Sequence, residues 1–292
     1  MVPTELTEVL VSGAVNGSAY ALMAVGLALV YGIAKVFNFC YGSFYTMGGY
    51  LGWLILNSKL SRFGYPVVFA CAIPALFMAG LAIDRIALRP LRDRKDWEML
   101  AVMSTLGVAL FLDNLYLARF GPSLKGLQPL FEGNINLAGI AVSMHDIAIS
   151  VIAASMIIGL WFFLKRTRTG MAMEAIAQDM TGAKIVGIAR DRVFGYAFAI
   201  ASVLVGIGGI LLAPKYFVMP FGGWEILVKA WVITAFGGMG NILGAVYAAF
   251  ILGIVESIVA WQFGATLTMF AWVAIMIGIF IVRPQGLRGT WG

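Results

Sequence analysis

The run Val193-Phe194-Gly195-Tyr196-Ala197-Phe198-Ala199-Ile200-Ala201-Ser202-Val203-Leu204-Val205-Gly206-Ile207-Gly208-Gly209-Ile210-Leu211-Leu212-Ala213-Pro214 contains no charged residue and is bounded by Arg192 and Lys215. A helix needs about 20 mostly apolar residues to cross about 30 Å of hydrocarbon, and this run is long enough. Comparable runs lie at roughly 8–33, 39–57, 66–83, 99–118, 144–164, 225–240, 242–260 and 265–282. In lipid only helices and closed barrels satisfy their own backbone groups. None of these runs shows the period-2 alternation of a barrel strand. The fold class is therefore all-α, a polytopic helical membrane protein. Segment 225–240 is short and broken by Gly237, Gly238 and Gly240, so it either crosses or enters and turns back. Eight or nine transmembrane segments are expected.

Composition agrees. Hydrophobic residues make up 61% and charged residues 12% of the 292, with mean hydropathy +0.93, whereas soluble domains carry about 25% charge to wet their surface. The first charges are Glu5 and Glu8, while a cleavable signal starts with basic residues, so the first segment is expected to be retained. Cys40 and Cys71 sit in apolar segments without metal-ligand spacing and read as small buried hydrophobes. His145, the single histidine, begins an apolar run with no second ligand nearby and reads as a residue of the water–lipid interface. No metal and no cofactor are expected. No nucleophile–base pair suggests an enzyme. The polar connections are too short to build a core of their own, which makes residues 1–292 a single transmembrane domain.

The net charge of +6 would suggest nucleic acid in a soluble chain. Here it has a different distribution. More than half of the 20 Lys and Arg residues lie in two connections, Asp84–Glu98 and Lys165–Arg192. The positive-inside rule puts both in the cytoplasm, and two spans separate them, so the assignment is consistent. The acidic N-terminus and the connection Arg119–Ser143 then fall outside. The tail Arg283-Pro284-Gln285-Gly286-Leu287-Arg288 reads as cytoplasmic if 225–240 crosses.

Glycine within the spans permits close helix approach. The dense clusters at 48–52 and 237–244 are expected to break their helices, and paired interruptions of this kind point to a translocation path. Charges at membrane depth cost roughly 2.5–3.5 kcal/mol on insertion scales, so Glu256 and Asp113 need partners or a path to line. Asn16 and Asn38 would bond across helices or face that path. Glu225 and Lys229 are spaced to pair on a helix.

In the second basic connection, Met173, Ile176, Ala177 and Met180 recur with helical spacing, while Glu174, Gln178 and Asp179 lie off that face. This is a short amphipathic helix suited to docking its apolar side in a partner's groove, or to lying among lipid headgroups. No GxxxxGK[ST] phosphate loop is present, so any ATP-driven step needs a separate ATPase chain.

Glu174-Ala175 followed by Gly182 resembles the coupling loop of ABC importer permeases. Asn16-Gly17-Ser18-Ala19-Tyr20-Ala21-Leu22, Tyr31-Gly32 and Asn38-Phe39-Cys40-Tyr41-Gly42 are similar to the N-terminal signature of branched-chain amino acid permeases of the LivH type. Gly209–Pro214, Phe236–Ala245, Leu252–Glu256 and Arg283–Leu287 match in the same order. One departure is Asn38-Phe39-Cys40-Tyr41-Gly42, where the family usually has Asn-Phe-Ala-His-Gly. The resemblance implies a multi-pass subunit of the bacterial cytoplasmic (inner) membrane. Its implied partners are a second related permease, two ABC ATPase subunits and an external substrate-binding protein. Glu174, Ala175, Gln178, Asp179, Gly182 and Gly187 would couple to the ATPase, and Asn16, Asn38, Tyr41, Gly237, Gly238 and Glu256 would line the path. Branched-chain amino acids are the implied cargo. Urea, short amides and aromatic acids are alternatives, as is an ion-coupled secondary transporter, for which Glu256 and Asp113 offer little of the needed relay.

Overall fold

The computed structural model describes residues 3–137, 140–282 and 286. Among the described residues there are eleven α-helices: α1 Pro3–Ala34, α2 Tyr41–Leu56, α3 Gly64–Ile83, α4 Trp97–Phe120, α5 Met144–Arg166, α6 Arg168–Gln178, α7 Met180–Ile185, α8 Arg190–Tyr216, α9 Gly223–Gly237, α10 Ile242–Phe263 and α11 Thr268–Val282. Six helical stretches are long and apolar enough to cross a membrane: α1, Lys59–Leu91 around α3, α4, α5, α8 and α10. The other three apolar runs form the shorter helices α2, α9 and α11, of 16, 15 and 15 residues. The tail Arg283–Arg288 lies outside the described residues except for Gly286.

Helices α1 and α8 form the centre, each 89% buried over its apolar window, whereas α3, α4 and α5 are only 22%, 28% and 28% buried. Small residues make this centre possible. A methyl on Gly253 of α10 would stand 2.7 Å from the Gly17 Cα of α1. A methyl on Gly48 of α2 would overlap the Gly206 carbonyl of α8, and one on Gly209 would overlap the Tyr45 carbonyl. Without a hydrophobic force between helices in lipid, such backbone approach is the main source of packing energy.

The glycine clusters divide. At 237–244 the expected break is present: α9 ends at Gly237, Gly238 and Gly240 take φ +101 and +84, and Asn241 Oδ1 accepts from Gly244 N–H (2.9 Å) to start α10. At 48–52 it is absent. Helix α2 runs unbroken there, and its glycines admit α8 and Val218 instead.

The breaks that shorten α2 and α9 precede them. Residues 35–40 follow α1 and 217–222 follow α8, and neither segment is helical over its length. Among the described residues, the two non-glycine residues with positive φ are Lys35 (+56°) and Phe217 (+57°), the first residue of each segment. Such conformations are costly for residues bearing a Cβ, so packing must hold them. Phe37 and Phe39 set their rings 5.5 and 4.6 Å from that of Trp231 on α9. Val218 packs over Gly49 of α2 and exchanges both backbone hydrogen bonds with Lys125 (2.9 and 2.8 Å). Each extended segment thus leans on the short helix that the other one feeds.

Three further expectations change. The all-α reading gains a small antiparallel hairpin, Asn134–Leu137 with Ile140–Ser143, too short to announce itself by periodicity. His145 is buried, not interfacial: Nδ1 accepts from Leu130 N–H (3.2 Å), which leaves Nε2 to donate to the Leu211 carbonyl (3.1 Å). The imidazole ties the connection between α4 and α5 to α8. Cys40 is buried as expected, but Cys71 is exposed on the outer face of α3.

Candidate functional site

The two short helices begin against each other. A methyl on Gly42 in the first turn of α2 would overlap the Gly223 carbonyl, which opens α9, and the reverse also holds. Helix N-termini carry partial positive charge, so two of them meeting inside the protein call for an anion. Asp113 of α4 supplies it. Its Oδ1 accepts from Ser43 Oγ (2.8 Å) and its Oδ2 from Trp224 Nε1 (2.8 Å), residues of those same first turns. Asp113 is 2% exposed. Its two oxygens thereby tie the first turn of α2 to the first turn of α9.

A second charged cluster joins α1, α9 and α10. Lys229 Nζ contacts Glu225 Oε1 at 2.9 Å, Glu256 Oε1 at 2.8 Å and the Tyr20 hydroxyl at 3.2 Å. The i,i+4 pair read from sequence is present, and Glu256 shares the same cation. The Glu225 side chain is 57% exposed, while those of Lys229 and Glu256 are 6% and 9%. Between this cluster and the 217–222 segment lies a cavity of about 100 Å³, which both Glu225 and Lys229 line.

The other residues expected along a path have separate places. Asn16 is half-buried on α1. Asn38 Oδ1 accepts from Cys40 N–H (3.1 Å) and shapes the entry to α2. Tyr41 is fully buried in this conformation, its hydroxyl donating to the Met23 carbonyl across the space that Gly26 leaves open. It locks α2 to α1 where the family pattern has histidine. Gly237 and Gly238 form the turn between α9 and α10, with Gly237 against Gly244.

The connection between α5 and α8 folds as α6 and α7. Thr167 caps α6, accepting from Gly170 N–H (3.0 Å), and a side chain at Gly170 would strike the Phe163 carbonyl. The apolar face of α6 turns inward: Met173 and Ile176 are 1% and 3% exposed within the chain's own core. The helix does not continue to Met180, because Asp179 breaks it with φ −148° and caps α7 by accepting from Thr181 N–H (2.9 Å), although Met180 still packs, partly buried, on the same core. Glu174 pairs with Lys165 at 2.8 Å. Gln178 is exposed, Ala175 is half-buried, and Gly182 sits over the Asp179 carboxylate. Gly187, at φ +82°, closes α7 in a Schellman turn: its N–H bonds the Lys184 carbonyl (3.1 Å), and Ile188 N–H bonds that of Ala183 (3.0 Å). What protrudes is the tip, where Ile185 and Val186 are 81% and 74% exposed. Two bare aliphatic side chains in a basic connection are the feature that helical periodicity missed, since it looked for the apolar face on α6.

The connection delivers directly into α8, whose first turn is clamped to the other basic loop. Asp191 pairs with Arg89 (3.4 Å) and Arg92 (3.2 Å), and Arg92 also pairs with Asp84. The Arg92 side chain is 2% exposed and lies 4.9 Å from the Phe194 ring centroid. A stretch that reads as a solvated basic loop therefore contains a buried ion pair.

A family profile described as "Branched-chain amino acid transport system / permease component" matches residues 9–282. The chain is 30% identical to the high-affinity branched-chain amino acid transport system permease protein BraD of Pseudomonas aeruginosa, over 96% of this chain and 94% of the relative. It is likewise 30% identical to LivH of Escherichia coli K12, over 95% and 94%. LivM of the same organism is 28% identical, over 92% of this chain and 67% of the relative.

Proposed function

The chain belongs to the permease family of branched-chain amino acid transport systems, and on that premise we propose that it is the membrane-spanning permease subunit of an ATP-driven importer of branched-chain or related amino acids. The whole chain acts as one permease domain. It forms the translocation path with a second, related permease, and relatives of both the LivH and LivM types fit such a pair. Two ATPase subunits dock on the cytoplasmic side, and an external binding protein delivers the cargo.

The observation that carries this reading is the α6–α7 connection. Its apolar face is anchored in the core, its tip offers Ile185 and Val186, and its far end enters α8, the central helix. A push on the tip is carried to α8 and, through Asp191, to Arg89 and Arg92. Helix α9 runs alongside α1 in the same direction, with Tyr20 by Lys229, Ala24 by Thr234 and Gly32 by Gly240. This supports a ninth crossing by segment 225–240 over a re-entrant turn, with an external N-terminus.

Reconstitution tests it. ATP-dependent leucine uptake is expected only when this chain is assembled with its partner permease, ATPases and binding protein. Leucine uptake by this chain alone under a proton or sodium gradient would replace this reading with a secondary transporter.

A further inference from the structure

The cavity between α1, α2, α8 and α9 is lined by Tyr20, Tyr45, Thr46, Tyr216, Glu225 and Lys229. Thr46 is 1% exposed, and its hydroxyl has no hydrogen-bond partner among the described residues. Buried hydroxyls are rarely left so. It faces the opening of α9, 2.9 Å from where a Cβ on Gly223 would stand. Lys229 does not supply the missing partner, because Glu225, Glu256 and Tyr20 take up its three protons. One ammonium against two carboxylates leaves the cluster with an excess negative charge, and of the two carboxylates only Glu225 lines the cavity. The walls thus offer the Glu225 carboxylate, the unpartnered Thr46 hydroxyl at the N-terminus of α9, further tyrosine hydroxyls, and an apolar margin at Phe217, Val218 and Met219. The volume of about 100 Å³ suits a small molecule and excludes a peptide.

We propose that this chamber binds the ammonium–carboxylate end of a free amino acid. Glu225 takes the ammonium, Thr46 and the tyrosine hydroxyls donate to the carboxylate beside the first turn of α9, and an aliphatic side chain lies along Phe217 and Met219. The site rests on the reading of this chain as an amino-acid permease and gives that permease a selectivity filter of its own, separate from the external binding protein.

The test is direct binding of radiolabelled L-leucine to the permease–ATPase complex in nanodiscs, without the binding protein. Saturable binding is expected. Thr46→Val keeps shape and removes only the unpaired hydroxyl, so it leaves thermal stability unchanged and weakens binding at least tenfold. Glu225→Gln also weakens it. Leucinamide and 4-methylpentanoate, each lacking one charge, compete poorly. Equal binding by wild type and both variants overturns the site, as does full competition by ammonium chloride, which would assign the chamber to a bare cation. Leucine transport by the complete importer with no saturable binding in this assay also overturns the site while leaving the proposed function standing. Absence of transport by the complete, folded importer removes both.

Discussion

Gly48 of α2 and Gly206 of α8 meet backbone to backbone, and a methyl group on Gly48 would occupy the place of the Gly206 carbonyl oxygen. Two helices must therefore separate to admit one carbon. Overpacking of this kind costs about 1–3 kcal/mol. Gly107 of α4 is the internal control, since a Cβ there meets nothing within 4 Å. Gly48→Ala is expected to lower the melting temperature of the detergent-purified protein, and Gly107→Ala to leave it level or raise it slightly, as alanine does in helix interiors. Equal shifts would refute the close-approach account.

Asp113 joins the first turns of α2 and α9 through Ser43 and Trp224. Asp113→Leu takes the carboxylate from the buried Ser43 hydroxyl, which keeps only a 3.4 Å contact with the Ala109 carbonyl, and from the half-buried Trp224 N–H, at about 1–3 kcal/mol for each donor left unpaired. A large loss of thermal stability is expected. Restoring one partner at a time identifies the cause: Asp113→Leu with Ser43→Ala should recover part of the loss, and no recovery would mean that the hydrogen bonds are not what holds the junction.

How much of this was legible beforehand depends on range. Apolar runs, basic connections and the Glu225–Lys229 spacing are local: all nine runs form helices, six of them of span length, and Glu225 pairs with Lys229. The Gly48 cluster has the composition of a helix break, yet its meaning was set by Gly206 and Val218, far away in sequence. The gaps between apolar runs at 34–38 and 215–224 anticipated both breaks, but the positive-φ residues that make them, Lys35 and Phe217, are neither glycine nor asparagine, so the exact turning points carried no signal. His145 had the residue type of an interface and the partners of a buried tie. For the connection between α5 and α8, periodicity found α6 and assigned its apolar face to the wrong neighbour, because amphipathicity tells that a face is covered and not by what.

Lys229 serves Glu225 and Glu256 together, and Glu256 Oε2 has no hydrogen-bond partner among the described residues. Removing one member of a buried ion pair typically costs 3–5 kcal/mol, about as much as a small domain can lose, whereas replacing both with apolar residues is often neutral. Lys229→Met should therefore destabilise strongly, and Lys229→Met with Glu256→Met should recover most of the loss. A double-mutant cycle read by thermal denaturation measures the coupling. Additive effects would show that the two groups do not act as a pair.

Ile185 and Val186 project from α7, while Met173 and Ile176 anchor α6 behind them. The two pairs should fail differently. Ile185→Ser with Val186→Ser removes apolar surface that the described residues leave exposed, so folding and membrane insertion are expected to stay intact. ATPase subunits should then co-purify poorly, and leucine uptake per ATP hydrolysed should fall several-fold. Met173→Ala opens a cavity in the core, at about 2–5 kcal/mol, and should lower thermal stability. Glu174→Arg and Gly182→Arg probe the same connection from its polar side. The first sets an arginine against Lys165 and the second drives a side chain into the Asp179 cap. Both are expected to reduce transport-coupled hydrolysis. If the Ile185 and Val186 double variant copurifies and couples like wild type, the tip is not where the ATPase pushes, and the force must enter elsewhere on the cytoplasmic face.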